Sequence, residues 1–214
     1  MNKLLLHPAS KPVVFLLCLL PFAWLFYGAF ADTLGANPAE ALIRATGIWT
    51  LRFICIVLAV TPLRVMSKWN ALARYRRMLG LFAYFYVVLH LLCYSWFDKG
   101  FDLSEILVDI AKRPFILVGF AAFVLLTPLA ATSFNRAIKA MGAKRWQWLH
   151  KLVYLIAGLG LLHFFWMRAG KNNFAEVFVY AGIVAVLLGW RVWNFMSKKW
   201  LKRLFHKRSQ LSQV

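Results

Sequence analysis

Acidic residues are scarce in this sequence, which has only seven Asp and Glu among 214 residues, against 26 Lys and Arg. Their scarcity leaves long stretches without any charge, the longest being residues 12–31, 78–97 and 114–135. About 20 mostly apolar residues suffice to cross a bilayer core of about 30 Å. Because these runs do not alternate as the strands of a membrane barrel do, the sequence predicts an all-α integral membrane protein.

Other absences narrow the function. The three cysteines, Cys18, Cys55 and Cys93, lie far apart in apolar runs, so no disulfide framework is expected. The sequence contains no C-x-x-C-H motif for covalent haem attachment and no dinucleotide-binding fingerprint, so direct binding of NADPH is not expected. The net charge of +19 is better explained by basic loops that flank membrane helices than by nucleic-acid binding.

We predict six membrane-spanning helices in one domain, residues 1–214. All seven acidic residues fall on alternate connecting segments, and the other segments and both ends carry only Lys and Arg. The excess of Lys and Arg on the cytoplasmic side predicts that both termini are cytoplasmic. Residues 101–111 are expected to form a short amphipathic helix on the outer surface. The predicted spans are about 13–31, 45–64, 78–97, 115–134, 147–167 and 175–196.

Two histidines lie at similar depth in predicted spans that run in the same direction. His90 is about 18 Å from the inner end of the third span, and His163 is about 23 Å from that of the fifth. An ionisable side chain within a span is costly and indicates a function. Two imidazoles that face each other across a bundle can supply both axial bonds to a haem iron. We therefore predict His90 and His163 as haem ligands, although each taken singly could be a hydrogen-bonded core histidine.

His150 is a third candidate ligand, at the inner edge of the fifth span. It lies about 20 Å from His163, which would suit a second redox centre, but an ideal helix places the two side chains about 140° apart. A π-bulge would restore the alignment, and Gly158 and Gly160 are candidate positions for such a distortion.

Three arginines are candidates for binding the acidic groups of a cofactor. Arg77 and Arg76 stand 13 and 14 residues before His90, where they could bind a haem propionate or a flavin phosphate, or anchor the helix end in the cytoplasm. Arg52 lies about two turns into the second span, where it could reach a propionate of the outer haem or snorkel to the surface.

Several segments of the chain resemble the MsrQ (YedZ) family, the haem-binding membrane subunits of the bacterial methionine sulfoxide reductase system. That family belongs to the wider ferric-reductase-like transmembrane superfamily, which includes the NADPH oxidases. The similarity extends over nearly the whole chain. It is carried by "TGIWTLRFICIVLAVTPLR" (46–64), "RRMLGLFAYFYVVLHLLCY" (76–94), "TSFNRAIKAMG" (132–142) and "MGAKRWQWLHKLVYLIAGLGLLHFFW" (141–166).

The resemblance implies an electron-transfer subunit in the bacterial inner membrane. Such a protein passes electrons from the quinone pool or a cytoplasmic flavin reductase to a periplasmic molybdopterin enzyme, MsrP, which reduces methionine sulfoxide in oxidised proteins. The implied cofactors are one or two b-type haems and FMN, with His90, His163 and His150 as iron ligands. The chain itself is not expected to perform the sulfoxide chemistry.

The resemblance leaves the second haem open. In the wider group the third and fifth spans each supply two histidines, but here the inner position of the third span is Arg76 or Arg77. The second haem is then absent, bound by His150 with a different partner, or replaced by flavin.

Two other functions are compatible with histidines inside membrane spans. One is a di-haem cytochrome b that anchors another respiratory enzyme in the membrane. The other is a transporter whose histidines relay protons, which predicts acidic relay partners inside the spans. No acidic residue lies within a predicted span interior, which counts against the transporter.

Overall fold

The computed structural model describes residues 2–170 and 172–211, with side chains described as far as residue 197. Within these residues, six helical segments are long and apolar enough to cross a membrane. The prediction of an all-α bundle with six membrane-spanning helices is therefore confirmed. The six segments are Ser10–Phe30, Pro38–Ser67, Asn70–Asp98, Pro114–Ala131, Ala143–Ala169 and Ala175–Ser197.

Short elements connect or interrupt these spans. A 3₁₀ helix, Asn70–Tyr75, leads into the third span, and a π-helical turn, Tyr94–Asp98, ends it. The predicted amphipathic segment forms the helix Leu103–Lys112, whose first turn is capped by the carboxylate of Asp102. The α-helices in chain order are α1 Asn2–Leu6, α2 Ser10–Phe30, α3 Pro38–Ser67, α4 Arg76–Cys93, α5 Leu103–Lys112, α6 Pro114–Ala131, α7 Asn135–Met141, α8 Ala143–Leu149, α9 Leu152–Ala169 and α10 Ala175–Leu211.

The two ends of the bundle differ in charge. We call the end with the α2–α3, α4–α6 and α9–α10 connections the acidic end, because all seven Asp and Glu lie in or beside these connections. The opposite end, which holds α1, the 3₁₀ helix, α7 and α8, is called the basic end.

Helix α3 begins about two turns earlier than predicted. The side chain of Asn37 accepts a hydrogen bond from the backbone N–H of Glu40 at 3.1 Å, and Pro38 occupies the first turn, so the start is well capped. Glu40 and Arg44 form an ion pair one turn apart. Residues 38–44 lie outside the predicted span because they include charged residues. A helix can nevertheless begin outside the hydrocarbon core of the bilayer when its charged side chains are paired.

The structure shows no π-bulge near Gly158 or Gly160, the candidate positions for a distortion that would align His150 with His163. Helix α9 passes through both glycines without a break, and the interruption lies instead at His150 and Lys151, between α8 and α9. At the break, the indole N–H of Trp146 donates to the carbonyl of Thr132 at the end of α6, 3.0 Å away. This bond ties α8 to the end of α6 just before α9 begins.

The bundle is built around two antiparallel helix pairs. Helix α3 packs along α4, and α6 packs along α9, while α10 lies against α3 and α9. Aromatic side chains fill the first interface, where the ring of Phe53 on α3 stacks on Phe82 and Tyr86 of α4 at 5.7 and 5.1 Å. Helix α2 lies outside this pair, and many of its large apolar side chains are exposed, as expected for a lipid-facing helix.

Side chains of neighbouring helices bond to the backbone beside two of the prolines inside the spans, Pro62 and Pro21. Pro62 cannot donate to the carbonyl of Leu58, and the guanidinium of Arg191 on α10 donates to that carbonyl at 2.5 Å. Beside Pro21, the buried hydroxyl of Tyr86 accepts from the N–H of Phe22 at 3.0 Å and donates to the carbonyl of Cys18 at 2.9 Å. The carbonyls of Leu58 and Cys18 and the N–H of Phe22 thereby have partners within the protein, as the bilayer requires.

Candidate cofactor site

His90 of α4 and His163 of α9 meet in the interior of the bundle. Their ring centres are 6.1 Å apart, and the ring planes make an angle of 75°. The rings come from different helix pairs, so the α3–α4 pair and the α6–α9 pair contribute one histidine each. The structure therefore brings together the two histidines that were predicted to lie at similar depth in the membrane.

Each histidine is oriented by a backbone carbonyl on the partner helix of its pair. Nδ1 of His90 lies 2.8 Å from the carbonyl oxygen of Ile43 on α3, and Nδ1 of His163 lies 2.6 Å from that of Phe115 on α6. A carbonyl oxygen can only accept, so Nδ1 carries the proton in both rings and Nε2 is the nitrogen with a lone pair. Metal-ligating histidines are typically fixed in this way by an outer hydrogen bond.

A glycine lies against each ring. A Cβ atom on Gly47 would approach Cε1 of His90 to 3.1 Å, and one on Gly119 would approach Nδ1 of His163 to 2.7 Å. Each glycine is four residues after the carbonyl that binds the same histidine, so carbonyl and glycine are neighbours on one helix face. The two helix pairs thus hold their histidines in the same manner, although the sequence shows no repeat.

A cavity of about 410 Å³ surrounds the histidine pair and extends toward the acidic end. This volume falls within the range of about 300–1,000 Å³ that is usual for small-molecule and cofactor sites. Its wall is mainly apolar and comes from α3, α4, α6 and α9, including Leu51, Ile54, Val87, Phe120, Phe123, Leu126, Ile156 and Phe164.

Three arginines line the part of the cavity nearest the acidic end, and each is ion-paired with a carboxylate. Arg44 pairs with Glu40, Arg113 with Asp109, and Arg168 with Glu176. Sequence reasoning had not identified any of these arginines as cofactor-binding. Their positions near helix ends give them the appearance of ordinary interfacial anchors.

Helix α5 contributes Ile110 to the cavity wall and is held by the buried carboxylate of Asp109. The hydroxyl of Tyr94 donates to this carboxylate at 2.7 Å, Arg113 contacts it at 2.9 Å and Lys99 at 3.4 Å. Burial alone would raise the pKa of Asp109, but these three partners outweigh it and hold the pKa below its usual value. Since Tyr94 and Arg113 also line the cavity, the same contacts fix α5 and part of the cavity wall.

The remaining predicted site residues lie elsewhere. Arg52 is not among the cavity-lining residues. Its Nε donates to the hydroxyl of Tyr180 at 2.9 Å, and its guanidinium lies 4.5 Å from the ring centre of Trp49. The structure therefore gives no support to the prediction that Arg52 reaches a propionate. Arg77 donates to the side chain of Asn135 on α7 at the basic surface.

At the basic end, the structure does not bring His150 to the other two histidines. Its ring packs against Trp146 at an interplanar angle of 32°, with ring centres 4.0 Å apart, and Nε2 lies 3.4 Å from Oγ1 of Thr132. Arg76 donates to Oγ1 of Thr61 at 3.1 Å, and its buried Nε–H has no partner among the described residues. The two residues therefore contact different helices.

The histidine pair fits a metal whose other ligands come from a bound macrocycle. Two metal–imidazole bonds of about 2 Å would place the ring centres about 6 Å apart, in agreement with the observed 6.1 Å. Within the described residues, no group of three or more His, Cys, Asp or Glu could hold a metal ion by itself. The apolar wall and the arginines at one edge suit a flat apolar ring with acidic substituents.

Comparisons with known proteins agree with this class of membrane cofactor protein. The family described as "Ferric reductase like transmembrane component" matches residues 46–161, which include Gly47, His90, Gly119 and His150. No solved structure matches the chain.

Individual relatives define the family more narrowly. Three similar bacterial proteins are each named "Protein-methionine-sulfoxide reductase heme-binding subunit MsrQ". The protein of Polaromonas naphthalenivorans is 82% identical over 92% of this chain and 90% of its own length. That of Herminiimonas arsenicoxydans is 56% identical over 88% of each chain, and that of Caulobacter vibrioides is 44% identical over 85% and 86%. The chain therefore belongs to the MsrQ family.

The glycine contacts generate a prediction about the histidine pair. In Gly119→Ala, the new Cβ would lie 2.7 Å from Nδ1 of His163, so the ring must move and its bond to Phe115 must weaken. We expect the purified variant to retain less than half of the bound haem, or to show a shifted Soret band, in a visible spectrum.

The matched control is Gly158→Ala on α9, where nothing lies within 4 Å of the new Cβ. The control should keep the wild-type haem content and spectrum. A wild-type spectrum and haem content in Gly119→Ala would contradict the role assigned to this glycine.

Proposed function

We propose that the central cavity binds one b-type haem, with Nε2 of His90 and Nε2 of His163 as the two axial ligands. The single observation that carries this proposal is the paired geometry of the rings, 6.1 Å apart and each fixed through Nδ1 by a carbonyl. The names of the relatives, which describe heme-binding subunits, support it. The absence of a C-x-x-C-H motif favours non-covalent binding, which is compatible with haem b.

The haem supplies one-electron redox chemistry, and the protein residues determine how it is held. His90 and His163 fix its position, while the apolar wall excludes water and favours a low-dielectric site. By accepting hydrogen bonds from Nδ1, the backbone carbonyls would increase the electron donation of both imidazoles to a bound iron.

We propose that this site passes electrons across the bacterial inner membrane to a periplasmic molybdopterin enzyme of the MsrP type. The distribution of Lys and Arg supports a cytoplasmic basic end, so the cavity lies in the outer half. Electrons would enter from the quinone pool or a cytoplasmic flavin reductase, and the final product would be repaired methionine in oxidised periplasmic proteins.

A second cofactor at the basic end is proposed on one observation, the buried Nε–H of Arg76 without a partner among the described residues. An anionic group would satisfy this donor. The group is a propionate of a second haem, with His150 as a ligand, or the phosphate of FMN. His150 would have to leave Trp146 and Thr132 to bind an iron, whereas a phosphate at Arg76 requires no such movement.

The haem ligands are tested by alanine variants of the three membrane histidines. His90→Ala and His163→Ala should each lose the cavity haem, because one axial bond and its oriented imidazole are removed. His150→Ala is the matched control and should retain it, since His150 lies outside the cavity. Haem per chain and the α band of the reduced protein are the measurements. Full haem content with an unchanged spectrum in either His90→Ala or His163→Ala would contradict the proposal.

Electron delivery is tested with purified protein in proteoliposomes. The haem of the reconstituted protein is reduced by a quinol, or by NADH with a flavin reductase, and no dithionite is added. The sample is then mixed with an MsrP-type enzyme and methionine sulfoxide. We expect the α band to disappear only when enzyme and sulfoxide are both present. A band that persists with both present, while the enzyme remains active with an artificial donor, would rule out this electron path.

A further inference from the structure

Arg168 has a buried hydrogen-bond donor that its known partners do not use. Its terminal nitrogen pairs with a carboxylate oxygen of Glu176 at 2.5 Å. Its Nε–H is buried and has no partner among the described residues. A buried N–H left unpaired is costly, and native structures nearly always provide an acceptor for it.

The surroundings of Arg168 place that donor at the cofactor cavity. Arg168 lines the cavity and follows His163 by five residues on α9, a rise of about 7.5 Å toward the acidic end. Its guanidinium lies over the ring of Phe164, 5.5 Å from the ring centre, and Phe164 lines the same cavity. Ring and carboxylate together hold the guanidinium in one orientation.

The other two arginines of the cavity are less suited to bind an anion inside it. The side chain of Arg113 is 53% exposed and its Nε is already bonded to Asp109, at 2.9 Å. Arg44 is 31% exposed and pairs with Glu40. Arg168 is only 14% exposed, and its partner Glu176 is 55% exposed, so solvent screens the carboxylate more than the guanidinium.

We propose that Arg168 binds a carboxylate of the tetrapyrrole through Nε–H, while Glu176 and Phe164 fix its guanidinium. This proposal rests on the proposed haem site and adds a carboxylate subsite to it. A carboxylate entering an apolar cavity needs a paired donor to offset the loss of water. An arginine can serve two carboxylates at once because its planar fork has five N–H groups, which a lysine cannot reproduce.

The test compares haem with haem dimethyl ester, in which both carboxylates are masked. Full-length protein is produced without added haem and titrated with each ligand, and the Soret band reports binding. Wild type should bind haem more tightly than the ester. In Arg168→Gln this preference should fall by roughly 10- to 100-fold, the effect expected for one charge-assisted hydrogen bond. Arg52→Gln, whose side chain lies outside the cavity, is the matched control and should keep the preference.

Arg168→Lys keeps the positive charge but lacks the Nε–H. It should also show a reduced preference for haem over the ester. If Arg168→Gln cannot be produced as stable protein, Arg168→Lys serves as the test variant. A wild-type preference in both variants would overturn the assignment of Arg168.

The controls separate this result from failure of the haem site itself. If wild-type protein bound neither ligand, or bound haem equally well after His90→Ala, the proposed haem site would be wrong and the subsite with it. If binding depended on His90 and the Arg168 variants kept the preference, only the subsite would be wrong.

Discussion

The bond between each histidine Nδ1 and a carbonyl of the neighbouring helix is the contact on which the rest of the site depends. It fixes the tautomer, leaves Nε2 as the nitrogen with a lone pair, and sets the direction of each ring. The rings approach the carbonyls closely because Gly47 and Gly119 present no side chain. This hydrogen bond therefore constrains the helix spacing, the ring orientation and the presence of glycine together. The same constraint occurs in the α3–α4 pair and in the α6–α9 pair.

The arginines at the two ends of the bundle have different kinds of hydrogen-bond partner. At the acidic end, three arginines beside the cavity are paired with carboxylates, and Asp109 ties α5 to the third span. At the basic end, Arg191 is satisfied by a carbonyl that Pro62 leaves open, and Arg76 is bonded to a threonine hydroxyl. Among the described residues, two buried side-chain N–H groups have no partner, the Nε–H of Arg76 and that of Arg168. An acidic ligand would satisfy either one.

Much of the architecture could be predicted from the sequence because the bilayer sets the length of an apolar run. Six spans follow from that length, and the match between His90 and His163 follows from the rise per residue and the alternating direction of the spans. The start of α3 was missed because charged residues that pair within a helix, such as Glu40 and Arg44, look like a loop in a hydropathy pattern. The break at His150 was not predicted because it depends on a bond between Trp146 and the end of α6, which no local pattern reveals.

The arginine at the cavity was missed for a related reason. Depth along a helix can be counted, but the direction of a side chain depends on how each helix is rotated against its neighbours. Arg52 and Arg168 both lie near the acidic end, and only the packed structure shows that Arg52 bonds to Tyr180 while Arg168 lines the cavity. The glycine contacts were equally hidden, since they join residues more than 40 positions apart.

The most direct test of the paired-histidine site is low-temperature electron paramagnetic resonance of the oxidised, haem-loaded protein. The ring planes of His90 and His163 make an angle of 75°, so the iron should be low-spin with two imidazoles in nearly perpendicular planes. We expect the highly anisotropic low-spin ferric signal typical of that arrangement. A high-spin signal, or the rhombic low-spin signal of parallel imidazole planes, would contradict the site described here.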